Sequence, residues 1–328
     1  LPSGQTLIAR GGKSGGHVSS SKSKLSLITV EYDVGDDEPE RTEVFRLQAA
    51  PEGTIGEWLK ANFDHVSPID RDRIAEFSGG NFRVAGVLAD TVKKGDTLGN
   101  LKDRELFVRI FQQRNDHSDD LLSAAEALAL VYSFDGTDAS TSGELAMLAP
   151  ITGVNVAKLY AFVVELKRRS VVQSRGRWRA LLPHAIANRL AAQALERIPA
   201  DELDRLCTSI PPRMQKSLTR RLGYLHDNDQ AQQAITRWLR ADGPLGNLFV
   251  GDDQSLQILR NIAPVAPDAV LQRMEEEVAG SDGVVILNPK LPSRWQLTRI
   301  LKSLAYDTEL FDRAAVLLGK FVAAKAPK

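Results

Sequence analysis

The chain has 328 residues, 43% of them hydrophobic, which marks a globular protein with room for two or three small domains. Its 42 Lys and Arg balance 42 Asp and Glu, so the composition excludes a global electrostatic pull towards nucleic acid or lipid. A single cysteine, Cys207, excludes an internal disulfide framework and fits a reducing, cytoplasmic address, and five scattered histidines offer no metal-ligand spacing.

Residues 1–23 read as a flexible leader or linker. They contain Gly12-Lys13-Ser14, the last three residues of a phosphate-binding P-loop, but Leu7 stands where that loop needs its first glycine. The Gly/Ser stretch after Ser14 is too costly in backbone entropy to start the helix that would hold phosphates. Residues 24–50 read as remnant strands: Lys24 to Val34 is rich in aliphatic and β-branched residues, and Glu43 to Leu47 forms a second short run. Two such strands are marginal alone. Either they lean on the helices that follow, or they belong to an α/β core lying upstream.

Residues 51–116 read as a small helical domain. Ile55, Trp58, Leu59 and Phe63 recur at helical spacing. Ser67, Pro68 and Asp70 spell a helix start, Gly79-Gly80 a stop, and Asn81 the cap of a third helix burying Val84, Val87, Leu88 and Val92. Residues 117–185 read as helix, helix, helix, hairpin: Leu121 to Ala129, a short helix closed by Gly153, a helix with Leu159, Phe162, Val163 and Leu166 on one face, and "VVQSRGRWRALL" with its turn at Arg175-Gly176. That order predicts a winged helix. Residues 186–328 read as helical throughout. Within them, Ile258-Leu259 and Ile300-Leu301 head two weakly similar stretches whose offset suits HEAT or armadillo units, which bury their apolar faces by stacking. The fold class is therefore mainly α, a helical lid and a winged helix followed by a helical array, with a short β remnant at the N-terminus.

Arg83 is the first candidate for chemistry. It occupies the first turn of its helix, where a cation opposes the macrodipole, and two glycines before it allow close backbone approach. Open amides at that helix start, together with Arg83, suit a phosphate. The plainer reading has Arg83 in solvent or paired with Glu76.

Taken together, "SKLSLITVEYD", "TEVFRLQAAPEGTIGEWLK", "RIAEFSGGNFRVAGVLA" and the winged helix resemble the second half of a STAND-type NTPase of the AAA+ superfamily, as in NB-ARC and NACHT signalling proteins. The resemblance covers about residues 24 to 200 and lies in the order of domains. It implies that Thr29 stands at the sensor-1 position, with Val30 and Glu31 where NB-ARC proteins carry an arginine. It implies that Asn81 and Phe82 fall around the lid's adenine-contacting proline, and that Arg83 matches the sensor-2 arginine. "ALLPHAIANRLA" is similar to the methionine-histidine-aspartate motif, with His184 as its β-phosphate-contacting histidine and Pro183 and Ala185 replacing the neighbours. In such a protein ATP or ADP sits with Mg on a P-loop core that precedes sensor 1. The expectation is a regulatory fragment that binds no nucleotide tightly by itself and does not hydrolyse ATP. Its partners would be the missing upstream nucleotide-binding core and a protein or nucleic-acid trigger. Prokaryotic members of this class resemble signalling and antiviral defence ATPases.

The alternative is a DNA-binding winged helix, with Lys158 on the third helix and Arg175, Arg177 and Arg179 on the wing meeting phosphates. Asn155, Ala157 and Ala161 on that helix are thin equipment for reading bases. For an independent enzyme there is no nucleophile-base pattern, and Asp119-Asp120 and Glu275-Glu276-Glu277 read as solvated faces.

Overall fold

The structure, a computed structural model, describes residues 6–10, 27–31, 42–46, 50–92, 98, 105–107, 119–169, 171–181, 184–250, 253–280, 287–288 and 294–324. It is mainly helical, and it divides into two units: Leu1–Ser118 with Leu182–Ile186, and Asp119–Leu181 with Ala187–Lys328. Gly12-Lys13-Ser14 lies outside the described residues.

In the first unit, β1 (Thr6–Arg10), β2 (Leu27–Glu31) and β3 (Thr42–Arg46) form an antiparallel sheet in the order β2-β1-β3. Ile8 lies opposite Thr29 on one side and Val44 on the other. The segment read as a leader thus supplies the central strand, and the expected pair of strands is a sheet of three. Two separated edge strands need such a middle partner for their backbone amides and carbonyls.

The helices α1 (Glu52–Asn62), α2 (Pro68–Ser78) and α3 (Phe82–Thr91) follow as predicted, but α3 buries Ala85, Leu88 and Ala89, with Val92 beyond its end, and leaves Val84 and Val87 half-buried. Ile55, Leu59, Ile74, Phe77, Leu88 and Phe107 are buried, with Phe77 edge-on to Phe107 at 4.9 Å. Ser67 caps α2, its hydroxyl accepting from the Asp70 amide at 3.2 Å and donating to the Asp70 carboxylate at 2.7 Å. Asp70 is itself buried and accepts from the Leu98 amide, which ties the cap to a distant segment. Ser67→Ala is expected to destabilise the unit by about 1 kcal/mol, seen as faster hydrogen exchange of the α2 amides.

The second unit opens with α4 (Asp119–Ala129), β4 (Phe134–Asp135), α5 (Glu144–Thr152), α6 (Val156–Arg168), β5 (Val172–Arg175) and β6 (Trp178–Leu181). The strands form an antiparallel sheet in the order β4-β6-β5. Gly153, at φ 68°, closes α5 and the Asn155 side chain caps α6, so the turn between them is set by a left-handed C-cap and a side-chain N-cap. The hairpin register pairs Arg175 with Trp178, placing the two-residue turn at Gly176-Arg177 rather than at Arg175-Gly176. Gly176 is the residue with φ 56°, and only glycine takes that conformation without cost.

Beyond the sheet run α7 (His184–Arg197), α8 (Ala200–Ser209), α9 (Pro212–Leu222), α10 (Asp229–Trp238), α11 (Asp253–Ile262), α12 (Pro267–Ala279), α13 (Arg294–Leu304) and α14 (Phe311–Ala323). Ile258 and Leu259 of α11, like Ile300 and Leu301 of α13, are buried, which places the self-similar stretches on corresponding inward faces. Trp238 is fully buried and donates from Nε1 to Asp204 at 2.6 Å, and Arg237 adds two bonds to the same carboxylate.

Partial burial pushes the Asp204 pKa up, but the bonds from Arg237 and Trp238 outweigh it and hold the carboxyl below its ordinary value. A depressed carboxylate contributes stability above its unfolded value of about 4 and loses it as pH falls through the lower folded value. Thermal melts taken from neutral to strongly acid pH are therefore expected to show an acid loss that Asp204→Asn flattens.

One face of α9 is polar yet turned inward. Arg213, Ser217 and Arg221 follow at intervals of one turn and grip the segment from Ala129 to Ser133. Arg213 Nη2 donates to Ser133 O at 3.0 Å, Ser217 Oγ to the same carbonyl at 2.6 Å, and Arg221 Nε to Ala129 O at 2.9 Å. Arg213 also makes a two-pronged pair with Glu144 of α5. The helical array is thereby stitched to the three-helix module through backbone carbonyls.

Candidate functional site

The candidate site of the first unit is built on the turn between α2 and α3. Gly79 ends α2 at φ 55° and Gly80 continues at φ 80°, a reversal that residues with side chains resist. The Gly80 carbonyl accepts from the Ala50 amide at 3.3 Å, and the Asn81 amide donates to Ser78 O at 3.1 Å. Asn81 is 4% exposed, and its side-chain oxygen accepts from the amides of Arg83 at 3.0 Å and Val84 at 3.1 Å. These are the amides that the phosphate hypothesis left open. Asn81 occupies them, so an anion at this helix start has to be held chiefly by the Arg83 side chain.

Phe82 packs edge-on against Trp58 at 5.3 Å, inside the unit rather than at a ligand. Arg83 is exposed, and among the described residues its guanidinium makes no hydrogen bond or ion pair. Glu76, the partner that the plainer reading gave it, bonds Arg73 at 3.0 Å.

His184 is the first residue of α7, half-buried, and residues 184–186 group with the first unit. Ala185 packs so closely on the α2–α3 turn that a Cβ added to Gly79 would overlap the Ala185 Cβ. The structure thus brings the backbone around Gly79 and the start of α7 together. Thr29 sits in β2 opposite Ile8, and its side chain lies outside what is described. Among the described residues no group of His, Cys, Asp and Glu is arranged to hold a metal ion.

Comparisons with protein-family models, curated proteins and solved structures return no match. The chemistry of the chain must therefore be read from its own residues. Among the described residues no single helix is long and apolar enough to cross a membrane.

The basic residues assigned to the wing are largely engaged within the second unit. Lys158 pairs with Asp120 and lies over the Phe162 ring at 5.6 Å. Arg177 Nε donates to Asp135 at 2.6 Å, and Arg179 donates to the carbonyls of Gly176 at 2.8 Å and Trp178 at 2.9 Å. The Arg179 stem fills the space beside Gly136, where a Cβ would strike it. Arg175 is exposed at the end of β5. Burial raises the Asp135 pKa, but bonds from Thr137 and then Arg177 more than offset that, leaving the carboxyl below its usual range. Asp135 is thus a charged competitor for Arg177 at neutral pH. A phosphate has to displace these partners, which weakens the DNA reading.

The most crowded group of functional side chains was not predicted. The α9 sequence "PRMQKSLTRRL" carries Arg213, Lys216, Arg220 and Arg221 and no acid, in a chain whose charges balance as a whole. That imbalance was the available signal. Arg213 lies over the Trp178 ring at 4.3 Å and Arg220 over the Tyr132 ring at 3.9 Å, and Tyr132 stacks with Tyr224 at 6.3 Å.

Proposed function

We propose that this chain is the regulatory portion of a STAND-like signalling ATPase, acting with a P-loop core that holds ATP or ADP and Mg. In this reading α1 to α3 form the lid, residues 119–181 a winged helix, and α7 to α14 an array of HEAT or armadillo type that senses a protein or nucleic acid. Three helices with an antiparallel sheet in the order β4-β6-β5 support the winged-helix assignment, and the corresponding faces of α11 and α13 support the repeat. A cytoplasmic, prokaryotic defence role belongs to the same proposal.

The observation that carries it is the seating of Ala185 on Gly79. It sets His184 at the head of one helix beside the turn that leads to Arg83, two elements far apart in sequence. A diphosphate reaching both residues would meet one cation and one imidazole, and would favour whichever lid position presents them. Adding ADP to isotopically labelled chain tests this by NMR. Shifts confined to residues 79–84 and 184–186, weak in affinity and lost in Arg83→Ala and His184→Ala, are expected. Titration to saturation of the nucleotide's solubility with those resonances unmoved would sink the reading.

In the DNA alternative Arg177 has to leave Asp135, and Arg179 the carbonyls of Gly176 and Trp178, to reach phosphates. Fold alone does not make a winged helix a DNA reader.

A further inference from the structure

Within α14 only Asp312, Arg313 and Lys320 are charged, and every other residue is apolar or glycine. A helix apolar on all sides belongs in an interior. One side of α14 has that interior: Ala314, Leu317 and Phe321 are buried, and Arg313 anchors the helix to α12 through Glu275 at 2.6 and 3.0 Å and Asp268 at 2.5 Å. The opposite side lacks it. Phe311 is 53% exposed, Val316 62% and Val322 85%, with exposed Ala315 and Gly319 between them. A Cβ added to Gly319 would meet nothing within 4 Å, so a neighbour can come close to the helix there.

The pattern on this face is self-complementary. Asp312 and Lys320 flank it, make no ion pair among the described residues, and have their midpoint at Val316. Phe311 and Val322 have theirs between Val316 and Leu317. At about 100° per residue, Asp312, Val316 and Lys320 fall to one side of the exposed face, and Phe311, Ala315 and Val322 to the other. A two-fold axis across Val316 therefore sets Asp312 of each copy level with Lys320 of the other, and Phe311 level with Val322, with each pair on a single side. A foreign helix would have to match both pairs separately. A second copy matches them by symmetry.

We propose that α14 is the contact of a reversible homodimer, in which two copies of this chain pair antiparallel through Phe311, Val316 and Val322, with ion pairs between Asp312 and Lys320 at the rim. The helix is about 20 Å long, so the two faces together bury on the order of 600–1,000 Å², the size of a transient association and below that of a permanent dimer. The proposal uses only residues of the second unit and does not rest on the nucleotide-clamp reading.

Sedimentation equilibrium of the full chain from about 5 to 500 µM tests it, bracketing an expected dimer Kd on the order of 100 µM. Val316→Lys sets like charges across the axis in place of an apolar contact and is expected to leave a monomer throughout. Asp312→Lys and Lys320→Asp each oppose like charges at both rims and should weaken dimerisation at least about fivefold. An equimolar mixture of those two variants should recover association to within about twofold of the parent, because both ion pairs then form between unlike copies. A parallel pair, which sets position 312 against itself, predicts no such recovery. If Asp312→Lys lowers the melting temperature, Val316→Lys and Lys320→Asp carry the test. The proposal is overturned by a chain that stays monomeric at about 500 µM, by self-association that none of the variants weakens, or by a mixture that recovers nothing. It is also overturned by monomers that float with neutral phosphatidylcholine vesicles, which would give the face to lipid.

Discussion

Arg221→Ala is expected to destabilise the second unit by about 3–5 kcal/mol, the order expected for emptying a large buried site and orphaning its hydrogen-bond partners. The side chain is fully buried, and burial brings its pKa down to about 10, so it remains a cation at neutral pH. No carboxylate bonds it among the described residues. Its partners are Ala129 O at 2.9 Å, the Asn188 side-chain oxygen, and the Tyr132 ring at 5.4 Å. Ala129 ends α4, so the guanidinium faces the negative pole of that helix, and this placement accounts for a lone arginine in the interior. Alanine leaves a cavity, an orphaned helix-end carbonyl and an orphaned amide oxygen. Arg221→Met should cost less, about 1–3 kcal/mol, because it refills the space and removes a charge whose Nη2 finds no acceptor here, leaving only the two orphans. Urea unfolding followed by circular dichroism checks both. Equal losses in the two variants would mean that hydrogen bonding and not the filling of space holds α9 to α4.

Arg221 also shows where sequence reasoning stops. Amphipathic spacing and cap chemistry are local, so Ser67 and Gly153 marked their helix ends and Leu159, Val163 and Leu166 marked a buried face on which Phe162 is only half-buried, while the Asn155 cap went unread. A cationic helix reads as solvated under the same rules. Arg213 and Arg221 turn inward because carbonyls at the end of α4 and the Glu144 carboxylate wait there, which no local pattern records. Strand β1 escaped for a related reason: five residues beside a Gly/Ser run carry little signal until β2 and β3 supply its partners. At the candidate site, Asn81 was legible both as a cap and beside an anion, and its two bonds to the α3 amides give the cap as its role. The meeting of Gly79 with Ala185 was not legible at all, because it joins elements separated by much of the chain.

That meeting makes Gly79 a doubly constrained glycine, by its left-handed backbone and by the Ala185 side chain against it. Gly79→Ala is expected to destabilise the unit by about 2–5 kcal/mol, from two separable causes. A side chain at φ 55° costs about 1–2 kcal/mol whatever its surroundings. Overlap with the Ala185 Cβ adds about 1–3 kcal/mol, the usual range for overpacking. Ala185→Gly removes the methyl in the way and by itself costs up to about 1 kcal/mol of helix propensity. The double variant should therefore be more stable than the sum of the two singles requires, by about the overlap contribution, while the backbone contribution persists. Hydrogen exchange at residues 184–186 gives a second readout, since Gly79→Ala should loosen the head of α7 and Ala185→Gly in the same chain should restore its protection. Strict additivity, with no restored protection, would mean that the turn and the helix do not touch in solution, and His184 would lose its place beside the route to Arg83.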